Sequence, residues 1–450
     1  MIDKLFKSKV LPFLYGRKIL LAFANERAIQ RAANTLEALG VSKSHLFGIV
    51  GQSPQTERIR LDIAHIFVAL PECSLAFELR AYHSALKHLD KTHIKVIDDF
   101  DPTVEAIVIG AFWFELESVA NRRVFGSRRT SWLRIEDKCE VTVIWDKANI
   151  KTSRSETVSV SHLKHACLEG WNFPFVLSGD STQGVTGGGS HVRAIYTAKH
   201  LDSVRSFFEK ECQYVRVMEY LDGVSCSIHG VVLEAEVLCS IPIEMVVIPC
   251  SDGHFKYMGA STHWIPNSSI TAQLQDTVRK IGAVLREEVN FKGTFTLDGV
   301  ITDGQFYPTE INTRAGAGIF ALYGVKHMAY FLLDLMLKDG QTILFDTDSL
   351  QHWMIETAIS NRSTRAWGES TVDGTCTPET HWLDFVSGQW SRVEDHTDGA
   401  TTLSISDGRA GAFLMLSVSP KSLSAGELLK PYVKAAMQYS DKVWGTYFLG

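Results

Sequence analysis

Oxygen-bearing side chains recur at two-residue spacing near the end of residues 293–319, GTFTLDGVITDGQFYPTEINTRAGAGI. Apolar residues alternate with polar ones on both sides of a central Asp-Gly, which predicts two strands joined by a turn. Glu310, Asn312 and Arg314 would then project from one face of the second strand. Together with Asp298 on the first strand, they offer two carboxylates and an amide oxygen, which are ligands that suit Mg2+. The alternative is a solvated face on an edge strand.

Length and composition limit the classes of protein that fit this sequence. The 450 residues are too many for one hydrophobic core and predict about three domains. With 45% hydrophobic and 21% charged residues the chain is typical of globular proteins, and its net charge of -6 argues against a nucleic-acid or anionic-membrane partner. No apolar run reaches about 18 residues, and the charged N-terminal residues differ from a secretory signal. Eight cysteines without C-x-x-C spacing predict reduced thiols in a cytoplasmic protein.

The first part of the chain, from about residue 15 to 125, predicts a parallel α/β sheet. A helix is expected from Asn25 to Gly40, after the first strand. No G-x-G-x-x-G follows that strand, so no dinucleotide is expected. Short apolar runs predict the strands of this sheet, at residues 18–23, 46–51, 94–98 and 106–110.

A glycine-rich loop is predicted between two strands in the middle of the chain. Glycines let a backbone approach a polyphosphate closely and present its N–H groups to anions. The loop lacks the G-K-[ST] ending and the following helix of a P-loop, so a plain mobile hairpin tip is the alternative. Its glycines are Gly184, Gly187, Gly188 and Gly189.

Two further segments could contact a nucleotide. Residues 132–153, WLRIEDKCEVTVIWDKANIKTS, predict a helix carrying Asp137 and Lys138, followed by a loop. Residues 219–223 connect two predicted strands, and their backbone could hydrogen-bond an adenine edge while apolar neighbours enclose the ring. A solvated lysine and a plain hairpin are the respective alternatives.

The last part of the chain gives weaker signals. Residues 253–267 are expected to continue an antiparallel sheet, and an amphipathic helix is expected from about 269 to 289. Residues 358–379 and 393–404 predict loops, whereas residues 411–420 predict a strand that precedes a final amphipathic helix.

The order of these motifs resembles that of ATP-grasp ligases: an Asp-Lys helix, a glycine-rich loop, an E-x-L connector, a K-Y strand, and D…E-x-N-x-R. The similar span covers residues 131–335. Its FKYMGASTHWIPN segment and its last two strands look like those of D-alanine–D-alanine ligases, and EINTR looks like the E-x-N-x-R ending of biotin carboxylases. Within the superfamily, the pheganomycin-type peptide ligases look most similar.

The resemblance implies a mixed α/β and α+β fold. A Rossmann-like pre-ATP-grasp domain would be followed by a two-lobed ATP-grasp fold and a C-terminal extension. The boundaries expected are 1–130 for the first domain, 131–222 for the small lobe, 223–340 for the large lobe and 341–450 for the extension.

The resemblance also implies ATP and Mg2+, or alternatively Mn2+, as cofactors. Asp298, Glu310 and Asn312 would hold the metal, and Arg314 would support the reacting centre together with Lys256. The other residues implied to bind the nucleotide are Lys138 and Lys256 with the loop glycines at the phosphates, and Glu219, Tyr220 and Leu221 at the adenine. Two positions depart from the family pattern: Ser178 replaces a phosphate-binding lysine, and Ser225 replaces the acidic residue that commonly holds the ribose.

The activity implied is carboxylate–amine ligation through an acylphosphate, with amino acids or short peptides as small-molecule substrates. A homodimer is the family-level expectation, and neither a nucleic acid nor a membrane is expected as a partner. The alternatives are a degenerate ATP-binding module, because of Ser178, or another ATP-grasp activity such as that of a carboxylase or kinase.

Overall fold

The computed structural model describes most of the chain, in ranges separated by short gaps. Gly187 and Gly188 lie outside the described residues, so their phosphate contacts stay predictions. The described residues are 8, 10–52, 59–71, 75–164, 168, 170–182, 184, 189–341, 346–372, 376–394, 400–408, 411–419 and 421–448.

Four parallel strands form the N-terminal sheet, in the order β3-β2-β1-β4. They are β1 (Ile19–Phe23), β2 (Leu46–Gln52), β3 (Ala64–Ala69) and β4 (Ile107–Gly110). The side chain of Asn25 accepts a hydrogen bond from Ala28 N at 2.8 Å and so begins the helix Glu26–Ala38. Apolar residues cover both faces of the sheet, as parallel strands require. The predicted parallel α/β sheet is confirmed.

One predicted strand of this region is wrong. Residues 94–98 belong to the helix Lys91–Phe100, which begins where the side chain of Asp90 accepts a hydrogen bond from His93 N at 2.8 Å. Ile97 is buried but Val96 is 38% exposed, so the apolar run is part of a surface helix. The remaining strand of the sheet is β3, which the sequence analysis did not predict.

A second, antiparallel sheet, here called the small sheet, has the order β7-β10-β8-β9. The helix Ala198–Glu211 packs its apolar face, including Leu201 and Phe208, on this sheet. A short ribbon of β5 (Ser118–Val119) and β6 (Arg122–Arg123) precedes it. The strands of the small sheet are β7 (Ser155–Ser159), β8 (Phe175–Gly179), β9 (Val192–Ile195) and β10 (Tyr214–Glu219).

A third sheet, here called the large sheet, has the order β16-β15-β11-β13-β14-β17-β21-β20-β18-β19, with β12 paired to β11. The helix Ser268–Val289 packs Leu274, Val278 and Ile281 against it, as their spacing predicts. Its strands are β11 (Val224–Val232), β12 (Val237–Cys239), β13 (Ile243–Pro249), β14 (Phe255–Ser261), β15 (Gly293–Thr302), β16 (Gln305–Asn312), β17 (Thr364–Ser370), β18 (Glu379–Val386), β19 (Gln389–Arg392), β20 (Thr401–Gly408) and β21 (Gly411–Ser417).

The C-terminal region contains more regular structure than the sequence predicts. Strand β17 lies within residues 358–379 and strand β20 begins within residues 393–404, both of which were predicted to be loops. These strands carry few apolar residues in a row, and β17 pairs with the distant β14. That pairing joins residues on both sides of position 340 in one sheet, while the proposed domain boundaries stay predictions.

The remaining helices pack on these sheets or connect them. Within the described ranges, no helix is long and apolar enough to cross a membrane. The six described cysteines are free thiols, as expected. The other helices are Leu11–Leu14, Leu75–Lys87, Thr130–Leu133, Thr142–Lys147, Ile319–Tyr323, His327–Lys338, Thr347–Ser360 and Lys430–Trp444, with 3-10 turns at Lys43–His45, Arg134–Glu136, Val160–His162 and Gly324–Lys326.

Candidate functional site

The hairpin of β15 and β16 brings the three candidate metal ligands together. Asp298 and Glu310 are directly opposite each other in the register, and the Asn312 side chain donates from Nδ2 to Asp298 Oδ2 at 3.3 Å. The adjacent cross-strand pair, Leu297 and Ile311, is fully buried on the other face. The alternation of apolar and polar residues therefore places the core on one face of the hairpin and the oxygen atoms on the other.

The carboxylate of Asp298 is buried and only partly hydrogen-bonded. Its Oδ1 atom is buried and has no hydrogen-bond partner among the described residues. Burial and the adjacent Glu310 carboxylate raise the pKa of Asp298 to about 7, although Ser227, Arg314 and Lys138 act in the opposite direction. A buried, unpaired carboxylate oxygen next to a second carboxylate is an arrangement that a cation would relieve.

The donor set fits a magnesium ion that shares its coordination with a ligand. In the described part of the chain, no three or more His, Cys, Asp and Glu residues gather into a metal-binding group. Asp298 and Glu310 supply two carboxylates, and Asn312 supplies an amide. Mg2+ is commonly bound by one or two carboxylates plus substrate phosphates and water, rather than by a complete protein cage.

Lys138 approaches these carboxylates from outside the large sheet. Its Nζ lies 3.2 Å from Glu310 Oε2, and the residue is only 6% exposed. The predicted helix at this position is wrong, because the 3-10 turn Arg134–Glu136 ends before Asp137 and Lys138. A nearly buried ammonium beside a carboxylate pair supplies the positive charge that a phosphate would need at this site.

Asp137 connects the turn before Lys138 to the glycine-rich loop, a contact that the sequence did not predict. Its Oδ1 accepts a hydrogen bond from Cys139 N at 2.8 Å, which stabilises a turn rather than a helix. Its Oδ2 accepts hydrogen bonds from Ser181 N at 2.7 Å and from Ser181 Oγ at 2.6 Å. Asp137 thereby fixes the beginning of the glycine-rich loop next to Lys138.

Arg314 extends the hairpin cluster toward the N-terminal domain. Its Nη2 donates to Asn312 Oδ1 at 2.9 Å, and its Nε lies 3.9 Å from Glu136 Oε2. Its guanidinium also lies 5.8 Å from the centre of the Phe112 ring. The amide oxygen of Asn312 is therefore already engaged, and it can bind a metal only if this hydrogen bond is exchanged.

Glu136 anchors the chain that follows the hairpin. It accepts hydrogen bonds from Thr313 N at 2.7 Å and Thr313 Oγ1 at 2.8 Å, and it also pairs with the buried Arg128. Burial alone would raise the pKa of Glu136, but Arg128, Arg314 and Thr313 lower it to about 2. Glu136 is thus a charged support that orients Arg314.

The ends of the glycine-rich loop are described, and both need glycine. Gly184 has a φ of +99° and Gly189 a φ of +76°, values that side-chain-bearing residues rarely adopt. A Cβ at Gly189 would lie 3.0 Å from the carbonyl oxygen of Phe255, so the loop passes close to β14. Their contact with a phosphate stays a prediction.

The predicted adenine connector follows β10. The Glu219 side chain accepts a hydrogen bond from Arg154 N at 3.1 Å, and the Tyr220 ring is stacked with Phe255 at 6.4 Å between ring centres. Leu221 is half-buried, and Ser225 is half-buried on β11 opposite Val300. These positions lie where the two sheets meet, but their roles toward adenine and ribose remain predictions.

Lys256 is not brought to the hairpin carboxylates. Its Nζ donates to the carbonyl of Phe448 at 2.8 Å and lies 5.7 Å from the centre of that ring. Among the described residues, no ion pair joins Lys256 to Asp298 or Glu310. Phe448 is fully buried, so the end of the chain packs beside β14 and offers carbonyls to this lysine. Its predicted phosphate contact would require that hydrogen bond to be exchanged.

The face of the small sheet near the hairpin carries an arginine. Ser178 is buried on β8, and Arg216 lies directly opposite it on β10. Arg216 Nη2 donates to the carbonyl of Thr309, the residue before Glu310, at 2.6 Å. Sequence analysis missed this residue, although an arginine inside the apolar strand YVRVM is a signal that could have been followed.

No family model matches the chain, and no curated protein sequence matches it. Several solved structures are similar in fold. The L-amino acid ligase from Bacillus licheniformis has 15% sequence identity and a TM-score of 0.53, over 94% of this chain and 97% of that one. The phosphoribosylamine–glycine ligase from Thermotoga maritima has 14% identity and a TM-score of 0.52, over 94% and 96%. The biotin carboxylase from Campylobacter jejuni has 13% identity and a TM-score of 0.54, over 90% and 87%.

These similarities establish the fold over nearly the whole chain and nothing finer, because the sequence identities are low. The predicted combination of a Rossmann-like domain with an ATP-grasp architecture is confirmed. The chain therefore has the fold shared by these ligases and this carboxylase.

Proposed function

We propose that the chain is an ATP-dependent ligase that joins a carboxylate to an amine, of the pheganomycin-like peptide ligase type. The observation that carries this proposal is the unpaired, buried Oδ1 of Asp298, a residue directly opposite Glu310, which pairs with the nearly buried Lys138. Two similar structures support its nucleotide-binding part. The biotin carboxylase was solved with beta-gamma-ATP, and a 2-oxoglutarate carboxylase domain dimer was solved with MgADP, ADP and bicarbonate.

Asp298 and Glu310 would hold Mg2+, or alternatively Mn2+, with Asn312 as a third ligand. When bound, the ion offsets the negative charge of the phosphate oxygens at the hairpin. Lys138 would bind a further phosphate oxygen, because its ammonium already lies within this group of charges. Glu219, Tyr220 and Leu221 would contact the adenine.

The substrate carboxylate attacks the γ-phosphorus of ATP, which gives an acylphosphate and ADP. The amine of the second substrate then attacks the acyl carbon and expels phosphate, which is a far better leaving group than oxide. Arg314 suits the substrate carboxylate and the oxyanion that forms, because its forked guanidinium stays charged and is oriented by Glu136. The glycine-rich loop would exclude water from the acylphosphate.

The substrates proposed are amino acids or short peptides, and a cytoplasmic homodimer is the proposed form. A module that binds ATP without catalysis is the second candidate, because Ser178 has too short a side chain to reach a phosphate. A phosphoryl or CO2 adduct instead of an amide would indicate a kinase or a carboxylase.

The test combines the full chain with ATP, Mg2+ and a panel of amino acids and short peptides. Phosphate release is measured, and products are analysed by mass spectrometry for a new amide bond. We expect Glu310→Ala to abolish acceptor-dependent release while its thermal midpoint stays close to that of the wild type. Losing such an electrostatic contact typically costs roughly 100- to 1000-fold in rate.

The matched control is Glu236→Ala, which removes an exposed glutamate from a turn of the large sheet. This variant should keep full activity. Full turnover by Glu310→Ala would refute the metal assignment, and tight ATP binding without phosphate release from any acceptor pair would favour the binding module.

A further inference from the structure

Arg216 is a charged side chain buried in an apolar strand. Only 3% of the residue is exposed, and its neighbours Val215 and Val217 are fully buried on the other face of β10. One edge of its guanidinium is anchored, because Nη2 donates to the carbonyl of Thr309 at 2.6 Å. Its Nε is buried without a hydrogen-bond partner in the described part of the chain. A buried donor on a charged group is rarely left unpaired.

The charges around Arg216 come from the large sheet and from the turn that contains Asp137 and Lys138. Glu310 on the large sheet and Asp137 in the turn both attract the guanidinium. Lys138 is already paired with Glu310 at 3.2 Å, so that carboxylate is shared between two cations. Burial lowers the pKa of Arg216, but the intrinsic pKa of a guanidinium is so high that the group stays charged near neutral pH. The group therefore presents a fixed positive charge beside the candidate metal ligands.

The neighbouring strand places a short side chain opposite this guanidinium. Ser178 is the residue opposite Arg216 on β8, and its hydroxyl contacts Met218 Sδ at 3.9 Å rather than Arg216. A short side chain at this position neither pairs with the guanidinium nor competes with it for an anion.

We infer that Arg216 binds a phosphate group of the nucleotide, through its free Nε, between the small sheet and the hairpin of β15 and β16. The inference rests on the proposed function and adds to it a binding residue from the small sheet. An arginine suits this task because its planar fork can donate to two phosphate oxygens, and the Thr309 carbonyl already orients the fork. Adenosine, which lacks phosphate, would not use this contact.

The experiment compares binding of adenosine, AMP, ADP and ATP to the full chain, with Mg2+ present, by isothermal titration calorimetry. We expect Arg216→Gln to weaken the binding of ADP and ATP by about 10- to 100-fold, as expected for the loss of a charge-assisted hydrogen bond. Adenosine affinity should stay within about twofold of wild type. Arg216→Lys keeps the charge but loses the fork, and its loss should be smaller.

The control is Arg205→Gln, which removes the same charge from the helix that packs on the small sheet. Arg205 is paired there with Asp202 and Glu209, away from the hairpin. This variant should bind all four ligands as the wild type does.

Three results would overturn the inference. Arg216→Gln could bind ADP and ATP as tightly as the wild type, or it could lose adenosine and ATP affinity equally, which would make Arg216 a structural tie between the sheets. A wild-type protein that binds no adenine nucleotide would refute the proposed function itself, and this inference with it. If Arg216→Gln shows no cooperative thermal unfolding, Arg216→Lys decides by the same comparison of adenosine with ADP.

Discussion

Replacing Asp298 by asparagine should stabilise the free protein and remove its response to nucleotide. At pH 8, above the raised pKa, Asp298 is ionised, faces Glu310 and has an unpaired Oδ1. An unsatisfied buried polar atom costs about 1–3 kcal/mol. In Asp298→Asn the side-chain oxygen can still accept from Asn312 Nδ2, and the new amide N–H can donate toward Glu310. We therefore expect a gain in unfolding free energy of about 1–2 kcal/mol, and a rise in Tm of about 1–2 °C for a chain of this length.

The assay is thermal unfolding of both proteins at pH 8, without ligand and with saturating ATP and Mg2+. A ligand at 100 times its Kd stabilises the wild type by about 2.7 kcal/mol, and Asp298→Asn should lose most of that increase because one metal-binding carboxylate is gone. The reasoning is refuted if Asp298→Asn is less stable than the wild type without ligand, or if it keeps the full nucleotide-dependent shift. Asp276→Asn, an exposed position on the helix Ser268–Val289, is the control.

Two further predictions concern groups that support the site. Glu136→Gln should lower the unfolding free energy in urea by about 2 kcal/mol, because the buried Arg128 would keep only Glu115 of its two carboxylate partners. Glu140→Gln, which breaks an exposed pair four residues away, should cost no more than about 1 kcal/mol, and equal losses would contradict the assigned burial. Burial lowers the pKa of His229 from 6.5 to about 4, so the unfolded chain takes up the proton first as the pH falls, and stability is lost between pH 6.5 and 4. Between pH 7.5 and 4.5, the unfolding free energy of His229→Gln in urea should therefore fall by about 2 kcal/mol less than that of the wild type. The exposed control His352→Gln should match the wild type. Identical pH profiles for all three proteins would be inconsistent with a buried neutral His229.

Local patterns were sufficient for the parts of the fold whose contacts are close in sequence. The β15–β16 hairpin was predictable because apolar residues alternate on both sides of Asp303-Gly304. The pairing of Asp298 with Glu310 was not, because a β-bulge between Asp298 and Gly299 shifts the register by one residue past Thr309. The helix Ser268–Val289 was equally clear from its spacing. Residues 94–98 were wrongly predicted as a strand because a segment of five residues is too short to show a period. The side chain of Asp90, which caps the first turn, favours a helix there.

The rest of the site depends on contacts between distant residues, which no local pattern contains. Asp137 meets Ser181 across 44 positions, and Lys256 meets Phe448 across 192. Arg216 contacts Thr309 across 93 positions. An arginine inside an apolar strand was the one sequence signal that pointed to this residue. The residue types were therefore visible in the sequence, whereas their partners became visible only with the fold.

The strand order has a consequence for how the small sheet and the large sheet can move apart. Strand β16 is at the edge of the large sheet, so its free side offers backbone carbonyls, and Arg216 uses that of Thr309. In the described residues the two sheets share no extended ladder; a single bridge links Arg193 with His254. Separating the sheets would thus break a handful of hydrogen bonds while both remain intact. The two sheets can therefore move relative to each other, as the binding and release of a ligand would require, without any loss of secondary structure.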